Sequence, residues 1–221
     1  MADDWLVWQF ADSAFPTGSF AHSGGLEAAW QNVRVSRGES LLGFTESALA
    51  QIARGSLPFV VAAYREPRRF VELDRSCDAM LNNHVANRAS RAQGQSLLAA
   101  AQRIYCRPDF SSLQAIIRRT GSPGHLAPLF GVIAAQMNFE EKQTSRLFLF
   151  CGLRGLVSAA VRLGIVGPME AQGAQAKLSA KAEQLAMEAS ETSPQDAAQT
   201  APILDLLQGT QDRLYSRLFQ S

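Results

Sequence analysis

The stretch Leu147–Gly167, LFLFCGLRGLVSAAVRLGIVG, constrains the fold more than any other part of this chain. It is long enough to cross a bilayer, yet it contains Arg154 and Arg162. Each arginine at a bilayer centre costs roughly 2.5–3.5 kcal/mol on insertion scales. A central helix of a folded bundle avoids that cost, and Arg162 at its end meets free backbone carbonyls. The stretch therefore predicts a core helix ending near Gly164, with no membrane as partner.

Helical spacing recurs on both sides of it. Ser36-x-x-Glu39 has the pattern of a capping box, followed by Leu41, Thr45, Ala48 and Ile52 on one face. Gly55 reads as a stop and Pro58 as a new start. Pro67 opens another helix, with Phe70, Leu73, Cys77 and Leu81 on one side, and Asn82-Asn83 break it. An alanine-rich helix runs from Val85 to Ile104. Asp109 reads as the cap of the next, which Gly121 ends. After the turn at Gly121–Gly124 come helices over 128–137, the core stretch, and 171–189. The last of these has Leu178, Ala182, Leu185 and Ala189 on one stripe. No period-two pattern persists. These signals predict an all-α, single-domain bundle of about ten helices over residues 1–189. A polar linker, SETSPQDAAQTAP, covers 190–202. Ile203, Leu207, Leu214 and Leu218 then predict an amphipathic docking helix over 203–221, free to move until a partner covers it.

Charge and cysteine usage exclude several functions. The 21 Lys+Arg nearly balance 20 Asp+Glu, which leaves no basic excess for nucleic acid. Three scattered cysteines, with no C-x-x-C, fit a reducing compartment and a cytoplasmic location. Acids rather than basic residues follow Met1, unlike a signal peptide.

Residues 11–27, ADSAFPTGSFAHSGGLE, form a glycine- and hydroxyl-rich loop before a helix. No Gly-Lys-[Ser/Thr] follows, so a nucleotide loop lacks its lysine and its magnesium hydroxyl. A nucleophile would be Ser19 or Ser23 with His22, but no acid is placed to orient the imidazole. A tight loop of positive-φ glycines that caps the next helix explains the same residues. His22, His84 and His125 have no His or Cys at metal-ligand spacing. His125, after the turn, is placed for a surface or a symmetry axis. The terminus combines Arg213, Tyr215, Arg217, Leu218 and Phe219, which include residue types of binding hot spots. The residues thus point to a non-enzyme without cofactor or metal ligands. A small serine hydrolase and an adaptor of some other complex stand as alternatives.

The loop resembles the signature of the urease accessory protein F family, D-S-A-x-P-x-G-x-F-x-H/Y-S-x-G-L-E, here Asp12 to Glu27. The resemblance continues in order through Arg88-x-Ser90 with Gln93-Gly94, Gly124-His125 with Gly131, and Ala159-Ala160-Val161-Arg162-Leu163-Gly164. It then takes in Gly167 with Gln172, and Tyr215-Ser216-Arg217-Leu218-Phe219-x-Ser221. Ser19 stands where a second glycine is usual, Gln211-Asp212 where His-Glu is common, and Pro168 where a polar residue is usual. The resemblance implies an all-α homodimer. It also implies an adaptor between the urease accessory scaffold protein (D or H) and the accessory GTPase (G), in a complex that loads nickel into apo-urease. Carried over residue by residue, partner contacts fall on Pro16, Gly18, His22, Ser23, Gly25, Arg88, Gly124, His125, Arg162, Gln172, Arg213, Tyr215, Arg217, Leu218 and Phe219.

Overall fold

The computed structural model describes residues 4–221. Those residues form helices joined by turns and loops, with no strand among them. Helix α1 spans Asp4–Ala11, α2 Leu26–Gln31, α3 Glu39–Gln51 and α4 Leu57–Arg65. They are followed by α5 (Phe70–Met80), α6 (His84–Tyr105), α7 (Pro108–Thr120) and α8 (Leu126–Gln136). The last three are α9 (Glu141–Arg162), α10 (Pro168–Ser190) and α11 (Pro202–Gly209).

The apolar stretch is the central helix. Helix α9 is long and apolar enough to cross a membrane, but it packs on α10, α4, α3 and α1. Leu149, Leu153, Leu156, Ala159 and Ala160 are buried along it. Arg154 donates to the carbonyl of Ala11, so α1 supplies the acceptor that a bilayer lacks. Helix α10 covers α9 with Leu178, Leu185 and Ala189, the predicted stripe. Helix α8 lies against α4 so closely that a Cβ on Gly131 would sit 2.2 Å from the Val60 carbonyl oxygen. Only glycine fits there.

Gly55 and Pro58 do not separate two helices. A single π-turn, Ile52–Ser56, carries α3 into α4. The cause lies in Pro58, which has no N–H for the Arg54 carbonyl four residues back. The linker uses that carbonyl: Ala198 N donates to Arg54 O at 3.2 Å. Gly55 leaves the space for this crossing, since a Cβ there would lie 3.3 Å from Gln199 Nε2 and 3.4 Å from Ala198 O. Gln51 Oε1 accepts from Ala201 N at 2.8 Å. The linker is therefore seated on the helix, not free of it.

Other boundaries differ by local chemistry. Gly38, at φ 74°, precedes α3, and the Ser36 amide donates to Ser40 Oγ, so the Ser36–Glu39 box does not form. Asn83 is more than a breaker: its Oδ1 accepts from Val85 N and Ala86 N and caps α6. Asp109 lies inside the first turn of α7, which starts at Pro108. Gly121, at φ 64°, closes α7 as expected. The helix expected over 203–221 ends at Gly209, followed by a short 3₁₀ turn at Gln211–Arg213 and an irregular tail.

Candidate functional site

The glycine-rich loop and the C-terminus, far apart in sequence, form one site. Gly18 (φ 74°), Gly24 (φ 63°) and Gly25 (φ 85°) are all in the left-handed region that other residues avoid. They turn the loop so that its backbone faces the tail. Ser23 N and Ser23 Oγ both donate to Ser221 O, at 2.5 and 2.9 Å. Gln220 N donates to Ala21 O at 2.8 Å. His22 Nδ1 lies 2.7 Å from Ser221 Oγ. Gly25 also makes room for α11: a Cβ there would meet Gln208 Cβ at 3.0 Å.

A buried carboxylate organises the tail. Glu27 is 1% exposed. Its Oε1 accepts from Leu218 N at 2.6 Å, and its Oε2 accepts from Phe219 N at 3.1 Å and Gln211 Nε2 at 2.7 Å. A buried carboxylate is tolerated only with such donors. The Leu218 and Phe219 amides, which a helix over this segment would use internally, are thereby captured.

Arg162 and Asp212 fasten the edges. The Arg162 guanidinium is sandwiched between Phe20 and Phe219, 3.5 and 4.3 Å from the ring centroids, and it donates to the Phe20 carbonyl. Such stacking contributes about 0.5–1 kcal/mol per ring when exposed. Asp212 accepts both arms of Arg88, at 2.8 and 3.1 Å, and also meets Arg217 at 3.2 Å and His84 at 3.3 Å. The Arg88 guanidinium, above all, holds the Asp212 carboxyl below its usual range.

This arrangement holds the C-terminal segment against the loop. Ser23 and His22 point at Ser221, and Ser19 Oγ accepts from Thr17 Oγ1 at 3.1 Å. Among the described residues no group of three or more His, Cys, Asp or Glu side chains converges on a metal position.

Comparison with known proteins gives the family. A family model described as UreF matches residues 35–179, well over half of the chain. Urease accessory protein F of Oryza sativa subsp. japonica is 39% identical, over 97% of this chain and 84% of that protein. The chain belongs to the urease accessory protein F family. The Arabidopsis thaliana protein of the same name is 37% identical, over 98% of this chain and 92% of its own length. A bacterial relative, urease accessory protein UreF of Bacillus sp. (strain TB-90), is 26% identical over 97% of both chains.

The sites carried over from the family separate into four groups. Gly18, His22, Ser23, Gly25, Arg88, Arg162, Arg217, Leu218 and Phe219 meet in or beside the tail clasp described above. Pro16, Arg213 and Tyr215 are exposed beside it, and Tyr215 has its whole side chain in solvent. Gln172 is exposed on α10, in a groove with Arg146 and Phe150. Gly124 and His125 belong to the core. His125 is 0% exposed, with Nδ1 3.1 Å from Ser90 Oγ and Nε2 3.0 Å from Asp78 Oδ1. It is closed to partners and not placed at a surface or an axis. A Cβ on Gly94 of α6 would lie 2.2 Å from the Gly124 carbonyl oxygen, so that glycine pair sets the α6–α8 approach. Two central residues, Glu27 and Asp212, were not among the expected sites. Glu27 closes the loop signature, but a glutamate in the first turn of a helix reads as an ordinary dipole partner.

Proposed function

We propose that this chain is a cytoplasmic, homodimeric adaptor in urease maturation, bridging the accessory scaffold protein (D or H) and the accessory GTPase for GTP-dependent nickel insertion into apo-urease. The observation that carries this reading is the two-sided tail. Phe219, Gln211 and Ser221 are buried against the loop, while Tyr215 and Leu218 are 105% and 52% exposed. An ordered chain end that anchors on one face and offers an aromatic and an aliphatic side chain on the other suits a binding hot spot. Family membership supports the process, and the clasp supports the tail as the scaffold contact. The chain's role is to position the GTPase and couple its nucleotide state to metal delivery, with no chemistry of its own.

The test is a Tyr215→Ala/Leu218→Ala variant, whose exposed positions leave the clasp intact. It is expected to keep its circular dichroism and thermal midpoint and to lose co-purification with the scaffold by tenfold or more. Undiminished recovery of scaffold and GTPase would sink the tail reading. Absence of both partners with the unaltered chain would sink the adaptor reading.

A further inference from the structure

Three helices end in the same hydrogen-bonded turn, and one of them carries a residue ill suited to it. After α2, Val33 N donates to Trp30 O and Arg34 N to Ala29 O. After α8, Asn138 N donates to Ala135 O and Phe139 N to Ala134 O. After α9, Gly164 N donates to Val161 O and Ile165 N to Ala160 O. The first donor of each pair takes left-handed backbone angles. That residue is Asn138 after α8, at φ 59°, and Gly164 after α9, at φ 69°. Glycine and asparagine hold this position at low cost. After α2 the position falls to Val33, at φ 56°. A β-branched side chain is poorly tolerated there.

Burial does not offset that strain. Val33 is 88% exposed, whereas Val35, two residues on, is in the core. A strained residue with no packing of its own to account for it points to a function. The turn is also continuous with the tail. Gln31 Nε2, at the end of α2, donates to Ser216 O at 2.9 Å, and Ser216 follows Tyr215. Val33 therefore stands exposed on a segment bonded to the one that exposes Tyr215 and Leu218. Positive charge accompanies all three. Arg34 and Arg213 are exposed, and among the described residues their side chains have no ion pair or hydrogen bond. Arg217 is tied to Asp212.

We infer that Val33 is an anchor of the scaffold-binding face: the turn after α2 holds it out to fill an apolar pocket of the scaffold, whose rim carries carboxylates for Arg34 and Arg213. This extends that face from the tail to α2. The partner's identity rests on the adaptor reading; the strained, exposed turn does not.

Stability and affinity should then move in opposite directions. Val33→Gly and Val33→Asn both suit the left-handed turn, and both remove the apolar side chain. Each is expected to raise the thermal midpoint by about 2–4 °C. Each is also expected to weaken binding of the purified scaffold protein, followed by calorimetric titration, by roughly tenfold or more. Val33→Ile keeps an apolar branch and is expected to keep the affinity. Arg34→Glu is expected to weaken binding several-fold at low salt and less at high salt. A lowered midpoint in both Val33→Gly and Val33→Asn would overturn the strain. Unchanged affinity in those two would overturn the anchor and leave the adaptor reading standing. Unchanged affinity in Arg34→Glu at low salt would overturn the carboxylate rim. Failure of the unaltered chain to bind the scaffold would overturn the adaptor reading, and with it the partner named here.

Discussion

The turn Gly121–His125 closes on Asp74, whereas the chain end closes on Glu27 beside the loop Gly18–Gly25. In both places a glycine and a histidine accompany a buried carboxylate that collects donors. Asp74 accepts from Ser122 Oγ at 2.5 Å, Gly124 N at 2.8 Å and His125 N at 2.7 Å. Glu27 accepts from Leu218 N, Phe219 N and Gln211 Nε2. The difference lies in what can leave. The donors to Asp74 sit between α7 and α8, and releasing them means pulling apart core helices. The donors to Glu27 sit in the irregular segment after α11, and releasing them breaks no core helix. The same local chemistry thus makes a permanent joint in one place and a releasable clasp in the other.

The strongest way to break this comparison is Asp74→Ala. It leaves two amides and a hydroxyl without an acceptor inside the core, each costing about 1–3 kcal/mol. A loss on the order of 4 kcal/mol in urea unfolding is expected; a loss below about 1 kcal/mol would show that the joint is not structural. Gly25→Ala is a smaller, local change. Its φ of 85° strains any Cβ by about 1–2 kcal/mol, and the Cβ presses on Gln208. Amide exchange in α11 should accelerate roughly fivefold, with the Gly124 and His125 amides unaffected; equal acceleration in both loops would merge the two classes.

The smallest effect is a pH dependence of the clasp. Burial, and secondarily Arg88, hold the docked His22 imidazole below its ordinary value of 6.5. The docked state therefore binds that proton less readily than the released state. This contribution to docking is complete above pH 6.5 and declines as pH falls below it towards the lowered value. Amide exchange at Gln220, corrected for its intrinsic pH dependence, should accelerate a few-fold from pH 7.5 to 5.5. His22→Asn, which keeps a hydrogen-bonding group facing Ser221, should flatten that rise; an unchanged profile would remove His22 from the account.

Much of the bundle was legible because helix faces and stops are local. The stripe Leu178–Ala189 and the stop at Gly121 needed no distant partner. Gly55 and Pro58 marked correctly where backbone hydrogen bonding fails, but not what repairs it. The repair comes from Ala198, more than a hundred residues later. The tail shows the same limit. Ile203, Leu207, Leu214 and Leu218 have helical spacing, yet the amides of Leu218 and Phe219 are claimed by Glu27 near the other end of the chain. His125 looked like a surface residue because its partners, Ser90 and Asp78, lie on helices that the spacing alone does not bring together.

The releasable clasp is tested most directly by residue-resolved amide exchange in Glu27→Ala. The account predicts that the Leu218 and Phe219 amides lose their protection while those of Gly124 and His125 keep theirs. Protection retained at Leu218 and Phe219, or lost in both loops together, would contradict it.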